Sequence, residues 1–168
     1  ALSFAAITTL GATPYDLAAL GTVEHVSAIV GAAVATAVTD RLRRRPLMIA
    51  ADVARAAITL TVPVLALTGS LKFEYLVAVA ALVGALSVVF DVACSAYLPT
   101  VVPADGLVGA NARLSASASV AEIAGFGIAG WLVQWLTAPI AIAVDGLSFV
   151  VSAASLWVCL LYTSPSPR

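Results

Sequence analysis

The chain has 168 residues, of which 62% are hydrophobic and 10% charged, with a mean hydropathy of +1.08. An ordinary soluble domain carries about 25% charged residues, so this composition excludes a soluble fold. The formal net charge of −1 combines a tight basic cluster with nine acids scattered singly through apolar runs, a membrane pattern and not a nucleic-acid-binding one.

A hydrocarbon core of about 30 Å takes about 20 helical residues, and the sequence offers six apolar runs, the first incomplete. Residues 1–10 read as the last half of a helix closed by Gly11-Ala12-Thr13-Pro14. The chain opens in mid-segment at Ala1, with no basic stretch leading into a short apolar core and cleavage site, so the N-terminus reads as truncated. Helix two is expected over 15–38. It ends at Thr39-Asp40-Arg41-Leu42-Arg43-Arg44-Arg45-Pro46, which holds four of the eight basic residues. Each arginine would cost roughly 2.5–3.5 kcal/mol in hydrocarbon, so this stretch must be a loop in water or at the headgroups. Helix three begins after Pro46, whose missing N–H suits a first turn, and runs to about 67. Thr68-Gly69-Ser70, Lys72 and Glu74 separate it from helix four, 75–98.

Pro99 and Pro103 bracket a longer connector, 99–111, with Arg113 beyond it. Helix five is expected over 112–136, and Ala138-Pro139 turns the chain into helix six, 140–161. Connectors two-three and four-five fall on one side with Arg41, Arg43, Arg44, Arg45 and Arg113; the other side holds Lys72. Positive charge near helix ends stays cytoplasmic, which puts loops 40–46 and 99–111 on that face. Trp131, Trp135 and Tyr15 fall at the opposite boundary, where interfacial anchors belong. Residues 163–168 form a Pro/Ser tail that cannot be helical. As a string, residues 159–168 resemble the translated read-through of a sequencing adapter, so Cys159, Tyr162 and Arg168 are expected to carry no function.

Small residues repeat every four positions at Ser27, Gly31, Ala35 and Thr39 in helix two, and at Ser117, Ala121, Gly125 and Ala129 in helix five. Such ladders let membrane helices approach closely. Gly31, Gly125, Gly127 and Gly130 are therefore expected at helix contacts, although an Ala-rich chain also produces ladders by composition. Asp52 and Arg55 share a helix face at i, i+3 and are expected to pair.

The segment Asp40-Arg41-x-x-Arg44-Arg45-Pro46, with Asp52-x-x-Arg55, Phe90-Asp91, Leu98-Pro99, Ala110-Asn111 and Asp145-Gly146-x-Ser148-Phe149, resembles the N-terminal half of a major facilitator superfamily transporter. It is most similar to bacterial exporters of the enterobactin- and macrolide-efflux type, over nearly 1–158. The chain departs from the superfamily's first signature by carrying Thr36 and Arg43 where glycines are usual, and its Gly125-Phe126-Gly127-Ile128-Ala129-Gly130 lacks the proline of the helix-five antiporter signature. The resemblance implies an all-α membrane protein: a six-helix bundle, half of a twelve-helix transporter in a bacterial cytoplasmic membrane, whose other half forms a partner bundle. It further implies that Asp40 gates the contact between halves and that Arg44 pairs with Asp91 low in helix four. Asp40, Arg41, Arg44, Arg45, Asp52, Arg55 and Asp91 would then form a gating charge network.

An intramembrane carboxylate either finds a cation or takes up a proton. Glu122, nearest mid-bilayer by residue count, is the leading candidate for proton coupling or for binding a cationic substrate; a protonated or hydrogen-bonded structural acid is the competing assignment. Asp145 is a second candidate, resembling a family structural position. Glu24 and His25 read as an interfacial polar pair. One histidine, one cysteine outside the suspect tail and no Gly-rich phosphate loop leave enzyme, metal and nucleotide chemistry without their parts, and no cofactor is expected. The expected function is export of a small organic compound in exchange for protons. A non-transporting six-helix scaffold or partner subunit is the alternative, with a membrane-anchored enzyme third. Six further apolar segments downstream would favour transport.

Overall fold

The computed structural model describes residues 2–39, 42–135 and 137–162. The order is α1 Leu2–Leu10, α2 Pro14–Thr39, α3 Arg44–Leu67, α4 Phe73–Val101, a 3-10 turn Ala104–Gly106, α5 Leu107–Trp135 and α6 Ala138–Tyr162. Among the described residues there is no strand, and α2, α3, α4 and residues Ala138–Val158 of α6 are long and apolar enough to cross a membrane. The protein is therefore an all-helical, multi-pass membrane protein.

Local chemistry sets the helix ends. Thr13 and Asp16 open α2 with a capping box: the Thr13 N–H donates to Asp16 Oδ2 at 2.9 Å and the Asp16 N–H to Thr13 Oγ1 at 3.3 Å. Pro14 sits at the first helical position, where no N–H is needed. Gly11 closes α1 at φ 63°, and Gly69 follows α3 at φ 67°; in both turns a following N–H bonds back to a carbonyl near the helix end, Ala12 to Ala6 at 3.0 Å and Ser70 to Leu65 at 3.1 Å. Only a residue without Cβ takes this left-handed conformation at no cost.

Proline-marked boundaries differ from expectation. Helix α3 begins at Arg44 and not after Pro46, so Arg44, Arg45 and Pro46 form its first turn and not part of a loop 40–46. Helix α4 continues through Pro99 to Val101, and α5 starts at Leu107, so the connector spans 102–106 and not 99–111. Pro99 lies in the last turn of α4, where one lost backbone bond does not stop a long helix whose packing is already made.

The helices pack in the order α2, α4, α3, α6, each against the next, with the short α1 touching α6, α4 and α2. Helix α5 lies at the margin, leaning on α6, the 3-10 turn and α4, and none of its described side chains is buried. The α2–α4 contact is close because Gly31 faces the Ala85 backbone: a Cβ at Gly31 would come within 2.8 Å of Ala85 Cα and O. Gly31, Ala35 and Thr39 are buried along this seam, and Ser27 lies against Gly84. Gly146 on α6 likewise fits against Leu60 on α3.

The interior has two parts. Ala5, Ala6, Leu20, Val62, Leu71, Leu76, Val79, Ala80, Ala138 and Ile142 form an apolar core at the end away from the arginine loop. Toward the arginine end the α3 face turns polar, with Asp52, Arg55 and Thr59 all buried.

Candidate functional site

The buried face of α3 runs Met48, Ala51, Asp52, Arg55, Ala56, Thr59, Val62, the three- and four-residue spacing of one helix stripe. Because α3 lies between α4 and α6, whatever this stripe carries is presented to both. Asp52 is 0% exposed and Arg55 7% exposed, and the two pair with each other. The second Asp52 oxygen, Oδ2, accepts from Ser152 Oγ of α6 at 2.6 Å, and Arg55 Nη1 donates to Ser87 Oγ of α4 at 3.2 Å. The guanidinium also lies over two rings, Phe90 of α4 at 4.7 Å and Phe149 of α6 at 4.6 Å to the centroids.

Burying an ion pair costs several kcal/mol per ion unless further bonds satisfy the remaining donors and acceptors. Here both carboxylate oxygens have partners and two aromatic faces offset the desolvation of the cation. Of the atoms of this pair, Arg55 Nε is buried without a hydrogen-bond partner among the described residues. Arg55 is eleven residues into α3, about 16 Å along the helix. An ionic clamp at that depth joins α3, α4 and α6.

At the arginine end, Arg44 Nη1 donates to the Ala96 carbonyl of α4 at 2.6 Å, and Arg45 lies 5.8 Å from the Tyr97 ring centroid. The expected Arg44–Asp91 pair is not formed: Asp91 is exposed on α4, and among the described residues the ion pair is Asp52–Arg55. The physical reason is register. Asp91 lies five residues, about 7–8 Å, before the Ala96 carbonyl that Arg44 reaches, farther from the arginine end of α4. Asp40 and Arg41 lie outside the described residues.

Glu122 and Asp145 come together on a groove of ≈ 470 Å³ between α5 and α6. Ala121, Gly125, Ile128, Ala129, Leu132, Ala141, Val144 and Ser148 also line it, so two carboxylates face an apolar trough with no basic residue among the described residues of its wall. Glu122 is fifteen residues into the 29-residue α5 and Asp145 seven into α6.

Gly125, Gly127 and Gly130 meet no neighbouring helix among the described residues, unlike Gly31: a Cβ at any of them would meet nothing within 4 Å. The four-residue ladder is present, but α5 is marginal, and Ala121, Gly125 and Ala129 border open space at the groove instead of a neighbouring backbone. Glu24 and His25 are exposed, with His25 Nδ1 2.7 Å from the Gly21 carbonyl of its own helix.

Ser87 and Ser152, which complete the clamp, were not picked out from sequence. Ser87 is a lone hydroxyl inside an apolar run, whereas Ser152 stands between Ser148 and Ser155 with nothing in the sequence to single it out. Their registers relative to Asp52 and Arg55 could not be read without the helix order.

The family model of the Major Facilitator Superfamily matches residues 1–168. No curated protein and no solved structure matches the chain. With the match running its whole length over an all-helical, multi-pass bundle, the chain belongs to the Major Facilitator Superfamily, a family of membrane transporters.

Proposed function

We propose that this chain is one helical bundle of a secondary transporter that exports a small organic compound, of drug, macrolide or siderophore type, in exchange for protons. The bundle rocks against a second, similar bundle around a site near the bilayer midplane. The protein sits in a bacterial cytoplasmic membrane with the arginine loop on the cytoplasmic side, and no nucleic acid is involved. The observation that carries this reading is the convergence of Glu122 and Asp145, from two helices, on one apolar groove. A carboxylate in such a setting is neutral when protonated and, when ionised, attracts a cation. It can therefore hold a proton and a cationic compound alternately, which is the requirement for exchange. In this reading the arginines at the start of α3, one of them bonded to the Ala96 carbonyl of α4, take part in gating contact with the second bundle.

The test uses the full-length transporter in proteoliposomes with an imposed pH gradient. Glu122→Gln should abolish gradient-driven efflux while leaving substrate exchange across the membrane. Wild-type gradient-driven efflux by this variant would remove Glu122 from the mechanism, and a wild type indifferent to the gradient would remove proton coupling altogether.

A further inference from the structure

At the arginine end a second cavity, of ≈ 420 Å³, lies between the α2–α3 turn and α4, lined by Leu42, Arg43, Arg44, Arg45, Pro46, Tyr97 and Thr100. Among the described residues its wall holds three cations and no acid. The three arginines are not equivalent. Arg44 is committed to the Ala96 carbonyl and Arg45 lies against the Tyr97 ring, whereas Arg43 is exposed and has no partner among the described residues. Arg43 is also where this chain departs from the superfamily's first signature, which has glycine at that place. The third guanidinium of the cavity is thus a property of this chain and not of the family pattern.

We propose that this cavity binds the phosphate group of an anionic membrane lipid, and that Arg43 makes the site. Guanidinium groups match phosphate with paired, charge-assisted hydrogen bonds, and a cluster of three favours a dianion or monoanion over any neutral group. The backbone points the same way: α3 opens at Arg44 beside the cavity, so the positive end of its helix dipole adds to the arginines. A lipid fits better than a free phosphate because the rim is apolar. Leu42 is 56% exposed beside the arginines and Val101, just beyond Thr100, is 60% exposed. A headgroup in the cavity would leave its acyl chains to cover them. The cavity also lies at a helix end, where arginines of a membrane protein must meet the headgroup layer. This inference does not depend on the direction or coupling of transport.

The experiment uses the full-length protein, purified and reconstituted in nanodiscs of phosphatidylcholine with or without phosphatidylglycerol. Retained lipid is counted by native mass spectrometry, and thermal unfolding is followed in parallel. The wild type should retain phosphatidylglycerol over phosphatidylcholine and unfold at a higher temperature in its presence. Inorganic phosphate added to the phosphatidylcholine nanodiscs should have no such effect. Arg43→Gln should weaken retention about tenfold or more, the loss expected for one charge-assisted contact. Because Arg43 is exposed and bonded to no described side chain, this variant should keep its fold, checked by circular dichroism. Arg113→Gln, an equal charge loss on exposed α5, should leave retention unchanged. Three results would overturn the proposal: undiminished retention by Arg43→Gln, equal loss in Arg113→Gln, or stabilisation by inorganic phosphate alone.

Discussion

Replacing Arg55 with leucine would strand the fully buried Asp52 carboxylate, leaving Ser152 Oγ as its sole hydrogen-bond donor. The lost contacts are the ion pair, the bond to Ser87 and the two ring faces of Phe90 and Phe149. Removing one partner of a buried pair costs about 3–5 kcal/mol, most of it the penalty of the unpaired charge left behind. The penalty should therefore disappear when the second charge is also removed. Asp52→Asn keeps an acceptor for Ser152 without the charge, so the double variant Asp52→Asn/Arg55→Leu should lie within about 1–2 kcal/mol of the wild type, less damaging than Arg55→Leu alone. The assay is reversible unfolding in mixed detergent micelles, titrated with sodium dodecyl sulfate and followed by circular dichroism, on the wild type, both single variants and the double. If the two single costs simply add, or if Arg55→Leu costs less than about 1 kcal/mol, as a solvent-screened surface pair does, the clamp is not a buried ionic contact and the reasoning fails.

The same titration reads five further perturbations. Gly31→Ala drives a methyl to 2.8 Å from the Ala85 backbone, which cannot rotate away, so it should destabilise toward the upper part of the usual overpacking range of about 1–3 kcal/mol. Gly125→Ala, with nothing within 4 Å, should be neutral or stabilise by up to about 1 kcal/mol through helix propensity. Gly146→Ala meets Leu60 Cγ and Cδ2 at 2.8 and 2.9 Å, the movable end of a side chain, so its cost should fall below that of Gly31→Ala. Ser152→Ala removes a hydrogen bond to a buried carboxylate and should cost about 1.5–3 kcal/mol, whereas Ser155→Ala, whose hydroxyl bonds only the Val151 carbonyl of its own helix, should cost little.

Much of this architecture was legible because hydropathy and charge act on whole segments. A run of apolar residues ended by Thr39 and the arginines can only be a helix meeting water, and α2 duly ends at Thr39. Glycine turns were legible for the same reason: Gly11 and Gly69 adopt conformations that other residues resist. Proline was less informative. Pro99 read as a terminator and Pro63 as nothing, yet both lie inside helices, because packing decides whether a helix outlasts one missing bond. The Arg44–Asp91 expectation failed on a quantity that sequence does not carry, the axial offset between α3 and α4. A one-turn error there changes an arginine's partner from a carboxylate to a carbonyl.

The two small-residue ladders show most clearly where sequence stops. Helices α2 and α5 carry the same four-residue spacing of Ser, Ala and Gly, and by composition neither is favoured. In α2 the ladder is consumed against α4, with Gly31 on Ala85. In α5 it borders a groove that also holds Glu122 and Asp145. A small residue permits two outcomes, close approach of a backbone or open volume, and the spacing is identical for both. The deciding information lies on the neighbouring helix. Facing Gly31 there is another small residue at matched depth, whereas on the α6 wall the groove carries Asp145 and Ser148 among alanine and valine. Groups that need a proton, a cation or water do not favour dry contact with a bare helix face. The features of α5 that made it look like a packing helix are, beside that wall, what leaves the groove open.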